Sequence, residues 1–235
     1  MSSQSTTSRF GDKCCPECGS MSPTGEDGVS DCPTCGCTFV ARSTVNVIKA
    51  EMAADRAERN GGLMASAGIP PMYWTVEPDD VAAGKIAETG KGFYFQGGNG
   101  TYKTLKACSI ARAYLESGKS VRFVSSAMLM SEFRDAMGDR SEHRVFAELY
   151  QADLLVIDDL GKENASEWTV SMLFNVIDGR YGHMRPVVVT SNYSRGELAS
   201  RLASSGDKSA ASAIASRLAE MTVKVDFGNE DRRIT

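Results

Sequence analysis

Residues 92–104 read GFYFQGGNGTYKT, an aromatic-rich run followed by a glycine-rich turn and then by lysine and threonine. Residues 92–96 are typical of a strand, and the residues from Lys103 to about Glu116 have a helical pattern. The spacing G-x-x-x-x-G-K-[ST] between a strand and a helix is the pattern of a phosphate-binding loop. This stretch therefore predicts an α/β fold with a nucleoside triphosphate site.

Each position of this loop has a chemical role. Successive amides and the helix N-terminus point at the phosphates, Lys103 reaches the β- and γ-oxygens, and Thr104 binds Mg²⁺. Tyr102 stands where the pattern requires glycine, so a positive φ at that position would cost about 1–2 kcal/mol, unless the loop relaxes with the ring outward. The expected nucleotide-binding residues are Gly97, Gly98, Asn99, Gly100, Thr101, Tyr102, Lys103, Thr104 and Asp158.

Two acidic residues follow a second apolar run, LLVIDD at 154–159. Asp158 is expected to hold Mg²⁺ directly or through water, and Asp159 to orient or deprotonate the attacking water. Asn192 ends a later apolar run and is expected to position the water or sense the γ-phosphate. The alternative for these polar residues is a solvated turn at the end of a strand.

The rest of the main region alternates short apolar runs with helical stretches, which predicts a five-stranded parallel sheet with helices on both sides. Ligands bind at the carboxyl ends of the strands in such folds. The further predicted strands are 120–125, 154–157, 186–190 and 222–227, and the further predicted helices are 128–137, 142–151 and 168–179.

Six of the seven cysteines lie between Cys14 and Cys37. The stretches CPECG at 15–19 and CPTCG at 32–36 are near-copies, and two C-x2-C pairs can surround Zn²⁺ tetrahedrally. The expected zinc ligands are Cys15, Cys18, Cys32 and Cys35, while Cys14 and Cys37 are either alternative ligands or spare. Cys108 lies in an apolar helical stretch and is expected to be buried.

Three regions differ in composition. Residues 1–40 are rich in Cys, Gly and Ser and are expected to form a zinc-binding module whose metal supplies folding energy. Residues 41–66 have apolar residues at helical spacing and are expected to form a helical linker that stops at Asn60-Gly61-Gly62. Residues 67–235 are expected to form the nucleotide-binding domain.

Composition and charge exclude several classes of protein. The net charge of −4 argues against a protein that coats nucleic acid by bulk charge alone. No apolar run is long enough to span a membrane, and the N-terminal residues do not have the pattern of a secretory signal. The sequence therefore predicts a cytoplasmic protein.

The order of the motifs resembles that of AAA+ ATPases, specifically the DnaC/DnaI-type replicative helicase loaders and the related IstB ATPases, in a phage- or prophage-encoded form. The resemblance covers about residues 66–235, and LLVIDDLG at 154–161 with its spacing to TSN at 190–192 is its most specific part. The other matching stretches are AGIP at 67–70, the loop at 97–104, IDGRYGHMR at 177–185, SRL at 216–218 and EDRR at 230–233.

The resemblance implies an AAA+ core without a separate lid, which binds ATP with Mg²⁺ and forms a ring or spiral. Arg217 resembles the arginine that reaches the γ-phosphate of a neighbouring subunit; its alternative is a solvated helix arginine. Arg233 resembles the second sensor arginine, with Arg232 as the alternative. An arginine supplied by a neighbour means that a monomer should be nearly inert.

The resemblance also implies contacts with single-stranded DNA inside the ring. Ser166 and Trp168 match such positions, and Arg144 and Phe146 are weaker candidates. An aromatic ring beside a basic residue suits base stacking and phosphate contact. Core packing is the alternative for both aromatic residues.

The implied function is ATP-dependent loading of a hexameric replicative DNA helicase onto single-stranded DNA. One alternative is an IstB-like helper ATPase for a transposase. Another is a zinc-dependent DNA or helicase adaptor without turnover, in which Tyr102 has disabled the loop.

Overall fold

The computed structural model describes residues 14–15, 17–21, 29–40, 60–204 and 206–232. The chain divides into two units, residues 1–59 and residues 60–235, and each is described by itself. The helix predicted over residues 45–59 lies outside the described residues.

The first unit contains two turns that repeat each other. The Gly19 N–H donates to the Cys15 carbonyl at 2.9 Å, and the Gly36 N–H donates to the Cys32 carbonyl at 2.8 Å. Gly19 and Gly36 have φ values of 72° and 75°, which glycine adopts without steric cost. The second turn joins two antiparallel strands, β1 (Val29–Asp31) and β2 (Thr38–Val40).

The second unit is a parallel sheet with the spatial order β4-β5-β6-β3-β7, which confirms the predicted five-stranded parallel sheet. Its strands are β3 (Gly92–Gln96), β4 (Val121–Ser125), β5 (Leu154–Asp158), β6 (Val187–Ser191) and β7 (Thr222–Asp226). Its helices are α1 (Asp80–Thr89), α2 (Lys103–Glu116), α3 (Ser126–Asp139), α4 (Glu142–Gln151), α5 (Glu167–Gly182), α6 (Arg195–Ala203) and α7 (Lys208–Met221). Among the described residues, no helix has both the length and the apolar character of a membrane span.

Alternate residues of β5 enter different hydrophobic clusters. Leu155 and Ile157 pack into a cluster with residues of α3 to α7, whereas Leu154 and Val156 pack into a cluster with residues of α1 and α2. All four side chains are fully buried. Because both faces of the strand are covered, every one of these positions is apolar, as the sequence predicts.

Arg180 is buried at the amino-terminal edge of the sheet, although its side chain is charged. Its side chain is fully buried, and one guanidinium nitrogen donates to the carbonyls of Leu149 at 2.9 Å and Ala152 at 2.6 Å. The other terminal nitrogen contacts the Pro186 carbonyl. Burial lowers the pKa of Arg180 to about 10. The residue therefore joins the ends of α4 and α5 to the start of β6.

The predicted helix stop at Asn60-Gly61-Gly62 is wrong, because residues 60–66 are helical. The Asn60 side chain donates to Glu116 at 2.9 Å, and Met64 is buried in the cluster that α1 and α2 line. Packing against the main unit thus outweighs the low helix propensity of two glycines.

Three helices, α1, α6 and α7, occupy regions in which the sequence reading named no element. Each begins at a polar side chain that accepts a hydrogen bond from the first turn: Asp79, Ser194 and Asp207. Helices α6 and α7 pack against each other, and Leu198, Leu202 and Ile214 enter the same cluster as Leu155.

Candidate functional site

The loop between β3 and α2 lies at the carboxyl edge of the sheet. It begins at Gly97, whose φ is 151°, and it turns at Gly100, whose φ is 74°. The Gly97 N–H donates to the Ser191 carbonyl at the end of β6. The Thr101 hydroxyl donates to the Gly98 carbonyl at 3.0 Å. The loop is therefore bound to the neighbouring strand β6 at its start, and it leads directly into the N-terminus of α2.

Lys103 is folded back onto this loop. Its ammonium group donates to the Gly97 carbonyl at 2.9 Å and to the Gly98 carbonyl at 2.6 Å. The residue is only 6% exposed. Both acceptors lie in the segment that the phosphate-loop pattern defines, so the charge is held where phosphate oxygens would lie.

Asp158, at the end of β5, accepts two hydroxyl hydrogen bonds. Thr104 donates to Oδ1 at 2.9 Å, and Thr190 donates to the same oxygen at 2.6 Å. Burial raises the pKa of the Asp158 carboxyl, and the two hydroxyl donors partly offset this shift. A hydroxyl and a carboxylate in contact are oxygen ligands that Mg²⁺ accepts, so Thr104 and Asp158 fit a magnesium ion.

Asp159 and Asn192 lie beside the same loop. The φ of Asp159 is 57°, and its carboxylate is 2.8 Å from the Lys162 ammonium. The Asn192 side-chain amide donates to the Asn99 side-chain oxygen at 2.9 Å. Asn192 thus contacts the phosphate loop directly, and Asp159 lines the same cleft as this loop.

A cleft of about 410 Å³ opens at this edge of the sheet. All the residues from Asn99 to Thr104 line it, together with Asp158, Asp159 and Asn192, whereas the predicted residues Gly97 and Gly98 do not. Four other residues line the cleft that the sequence did not predict as site residues: Met72, Tyr73, Leu105 and Lys162. Met72 and Tyr73 follow the AGIP stretch, Leu105 directly follows the loop, and Lys162 follows LLVIDDLG. No general chemical pattern marks these four positions.

Tyr102 adopts the left-handed conformation that the sequence reading identified as costly. Its φ is 64°, and it directly precedes α2. The side chain is 43% exposed, and its hydroxyl donates to the Arg232 carbonyl at 2.8 Å. The aromatic ring is therefore accommodated at the surface, with its hydroxyl bound to the C-terminal segment.

Arg217 is on α7 and does not line the nucleotide cleft of its own chain. Its guanidinium is 2.7 Å from the Asp178 carboxylate, and its central carbon lies 4.8 Å from the Phe174 ring centre and 5.7 Å from that of Tyr181. The guanidinium is thus oriented by α5. Arg233, the other predicted arginine, lies outside the described residues.

The four predicted DNA-contact residues belong to two different helices. Ser166 precedes α5 and caps it by accepting from the Thr169 N–H at 3.1 Å. Trp168 is partly buried against the core, and the Arg134 guanidinium lies 5.4 Å from its ring centre. Phe146 packs against Phe133 at 4.7 Å between ring centres, whereas Arg144 is exposed. Both aromatic residues therefore contribute to the core.

The cysteine cluster of the first unit has the spacing that a metal ion requires. The sulfur atoms of Cys15, Cys18, Cys32 and Cys35 all lie within 4.8 Å of one another. The Cys15–Cys35 sulfur distance is 3.6 Å, and the Cys18–Cys32 distance is 3.5 Å. Sulfur atoms in tetrahedral zinc sites are about 3.8 Å apart, because each Zn–S bond is about 2.3 Å long. The four thiols therefore fit Zn²⁺.

The two remaining cysteines of this unit differ in position. The Cys37 sulfur is 3.1 Å from that of Cys15 and 3.4 Å from that of Cys35. The Cys14 sulfur contacts the Met21 sulfur at 3.8 Å. In the second unit, Cys108 is fully buried as predicted, and burial raises the pKa of its thiol.

A family model described as IstB-like ATP binding protein matches residues 79–235, which include every element from α1 to β7. This chain belongs to the IstB-like ATP-binding protein family. The stretch that matches this family model includes the phosphate loop, Asp158, Asp159 and Asn192. Membership in this family confirms the resemblance to IstB ATPases that the motif order indicates.

Two curated relatives match part of the chain. The replicative helicase loader DnaC of Escherichia coli (strain K12) is 32% identical over 108 residues, which cover 45% of this chain and 44% of that protein. An ATP-binding protein of the insertion sequence IS1162 from Pseudomonas fluorescens is 33% identical over 95 residues, which cover 40% of this chain and 41% of that protein. The matched stretch thus spans less than half the length of each relative.

Two solved structures have a similar fold. The crystal structure of DnaI has a TM-score of 0.56 and 23% identity, and covers 61% of this chain and 80% of that one. The crystal structure of the DnaC helicase loader has a TM-score of 0.54 and 22% identity, and covers 67% of this chain and 99% of that one. These likenesses confirm the predicted AAA+ type of fold.

Proposed function

We propose that this protein is an ATPase that loads a hexameric replicative DNA helicase onto single-stranded DNA in the cytoplasm. The observation that carries the proposal is the contact between Thr104 and Asp158, which joins the phosphate loop to the acidic strand in one cleft. The relatedness to DnaC supplies the class of partner.

Each residue of the cleft has its own role in the proposed hydrolysis of ATP. Lys103 binds the β- and γ-phosphate oxygens, and the loop amides from Gly100 onward bind the β-phosphate. Thr104 and Asp158 would hold Mg²⁺, which would supply charge neutralisation at the phosphates. Asp159 orients the attacking water and accepts its proton, and Asn192 contacts the γ-phosphate or that water.

Arg217 acts on the nucleotide of a neighbouring subunit in this proposal. Its ion pair with Asp178 and its contacts with two aromatic rings hold the guanidinium on the surface of α7 until a second copy approaches. Arg233 senses the nucleotide of its own chain. Hydrolysis therefore requires assembly into a ring or spiral.

In this proposal, Ser166 and Trp168 contact single-stranded DNA, and Arg144 and Phe146 make weaker contacts with it. The exposed end of α5 and the cation above the Trp168 ring support a stacking surface. The packing of both aromatic rings against the core favours the alternative, and Ser166 caps α5, so substitution of the exposed Arg144 is the cleaner test.

The first unit holds Zn²⁺ through Cys15, Cys18, Cys32 and Cys35 and docks on the helicase in this proposal. The corresponding division of the chain is a zinc module at 1–40, a helical linker at 41–66 and the AAA+ domain at 67–235. The fit of four thiols to a tetrahedral metal supports the first of these regions.

The test combines the full chain with the replicative helicase of its own host in ATP or in ADP. An ATP-dependent complex and helicase activity on circular single-stranded DNA are expected. Lys103→Ala should abolish both, whereas Lys106→Ala, an exposed lysine of the same helix, should leave both intact. The absence of any complex in either nucleotide would reject the proposal.

A second candidate is an ATPase that assists a transposase, because the family model and the IS1162 relative point to insertion sequences. A transposase encoded beside this protein should then stimulate its ATP hydrolysis, while the helicase should not. The same ATPase assay with each partner separates the two functions.

A further inference from the structure

The turn after β5 holds Asp159 and Lys162 in a fixed arrangement. The Asp159 N–H donates to the Thr190 hydroxyl at 2.9 Å, and the Asp159 carbonyl accepts from the Ser126 hydroxyl at 2.9 Å. The same carbonyl accepts from the Lys162 N–H at 3.2 Å. Thr190 and Ser126 are both buried. Because these contacts fix the backbone of the turn, the fold determines where its two charged side chains lie.

The Lys162 ammonium group lies at the nucleotide cleft. It donates to Oδ2 of Asp159 at 2.8 Å, and Lys162 is one of the residues that line the cleft. An ammonium group carries three N–H donors, and the contact with Asp159 uses one of them. The Lys162 side chain is 46% exposed, so its ammonium group can meet a ligand without a change in the fold.

The ion pair by itself does not explain the position of Lys162. Exposed pairs of this kind contribute little to stability. Lys106 on α2 forms such a pair with Asp79, and its side chain is 45% exposed, close to the value for Lys162. Lys162 lines the cleft, whereas Lys106 does not. What distinguishes Lys162 is therefore its place at the site, where a ligand with negative charge would meet it.

The two lysines that line the cleft lie at different places. Lys103 is held against two carbonyls of the phosphate loop, whereas Lys162 is held against the carboxylate of Asp159. In the proposed function, Asp159 orients the water that attacks the terminal phosphate of ATP. An ammonium group 2.8 Å from that carboxylate therefore lies close to the terminal phosphate as well.

We propose that Lys162 binds the terminal phosphate of ATP and thereby makes the site prefer ATP to ADP. The inference rests on the proposed nucleotide site, and it adds a binding residue that neither the phosphate-loop pattern nor the acidic strand contains. An ammonium group forms charge-assisted hydrogen bonds with phosphate oxygens, which are stronger than neutral ones. ADP lacks the γ-phosphate, so it receives only the weaker, screened attraction of the same charge.

The experiment measures the dissociation constants of ATP and ADP for the full chain with Mg²⁺. Lys162→Met removes the charge and keeps an unbranched side chain. ATP should bind about 5- to 20-fold more weakly, which corresponds to the loss of a charge-assisted hydrogen bond at a half-exposed site. ADP binding should change less than about twofold, because its phosphates lie farther from the missing charge. Lys162→Arg keeps the charge and should retain most of the preference for ATP.

The matched control is Lys106→Met, which removes a lysine of nearly equal exposure whose ion pair with Asp79 lies outside the cleft. It should leave both dissociation constants unchanged. A loss of affinity in Lys162→Met that is equal for ATP and ADP, or no loss at all, overturns the inference while the proposed function stands. If the unaltered protein binds neither nucleotide, the proposed function itself fails.

Discussion

The two units of this chain are stabilised in different ways. Among the described residues of the first unit, the buried apolar side chains are those of Cys15 and Cys32, both of them proposed metal ligands. The second unit buries two large hydrophobic clusters on opposite faces of a sheet. We therefore expect the first unit to depend on the proposed metal for its folding free energy, whereas the second depends on apolar burial.

The two proposed sites also differ in how far apart their residues lie in the sequence. Among the described residues of the first unit, two short turns with left-handed glycines bring the thiols together. In the second unit, the site depends on residues far apart in the sequence, such as Asn99 and Asn192, which are 93 positions apart. A metal site can therefore form from local sequence, but the nucleotide cleft requires the complete sheet.

The largest effect should come from Cys32→Ser, which removes a buried zinc ligand. Structural zinc contributes about 10 kcal/mol or more to small domains, so the β1–β2 hairpin should unfold while the unfolding temperature of the second unit stays the same. Amide NMR spectra and zinc content by mass spectrometry measure this. Cys108→Ser is the reciprocal control, since it should destabilise the second unit and retain zinc. A hairpin that stays folded without metal would contradict the expected dependence of the first unit on zinc.

The second prediction concerns Arg180→Met. Removal of the guanidinium leaves three buried carbonyls without their donor and should destabilise the second unit by about 3 kcal/mol. The midpoint of thermal unfolding should fall by about 6–12 °C for a domain of this size. Calorimetry measures the change, which should be absent from the first unit.

Arg185→Met is the matched control for Arg180. Its ion pair with Asp153 is 41% exposed on each side, so its loss should change stability by no more than about 1 kcal/mol. Equal effects of the two substitutions would contradict the role assigned to burial.

The third prediction concerns Asp158, a partly buried carboxylate in the second unit. Because burial raises its folded-state pKa, the folded protein binds a proton more readily than the unfolded chain, and stability rises as the pH falls through that pKa toward the usual value of about 4. Asp158→Asn should remove this pH dependence and stabilise the nucleotide-free protein at neutral pH by about 1 kcal/mol.

Thermal unfolding with and without MgATP provides the measurement for Asp158. The unaltered protein should be stabilised by MgATP, and Asp158→Asn should lose most of that stabilisation. A variant that is destabilised at neutral pH in the absence of nucleotide would contradict the sign of the effect.

The smallest effect should distinguish Cys14 from Cys37, the two cysteines of the first unit that are not among the four expected ligands. The Cys37 sulfur lies 3.1 Å from that of Cys15, so Cys37→Ser should lower zinc affinity by about twofold to tenfold through altered packing of the sulfur cluster. Cys14→Ser should leave it unchanged. Competition with a chromogenic chelator measures both, and a larger effect at Cys14 would sharpen the ligand assignment in favour of that residue.

Much of the second unit was predictable because its strongest patterns are local. The predicted strand 92–96 and helix 103–116 have the observed bounds, since the glycine-rich turn separates them sharply. The apolar β5 and the acids that follow it were predictable for the same reason. Helices α1, α6 and α7 were missed, although Asp79, Ser194 and Asp207 are residues that commonly begin helices.

Other parts of the site depend on tertiary contacts that no local pattern carries. Met72 and Tyr73 reach the cleft because the chain before α1 folds against its rim. The link between Tyr102 and Arg232 joins residues that are 130 positions apart. The predicted stop at Gly61 fails for the same reason, since Met64 is buried against distant helices.

The position of Lys103 affects how tightly nucleotide binds in the cleft. Its ammonium group donates to two loop carbonyls, and a bound phosphate oxygen would compete with them for its three N–H donors. Nucleotide binding therefore exchanges contacts within the loop for contacts with phosphate. The net gain from Lys103 should be smaller than that of a lysine without such contacts, because the carbonyl hydrogen bonds that are lost offset part of it.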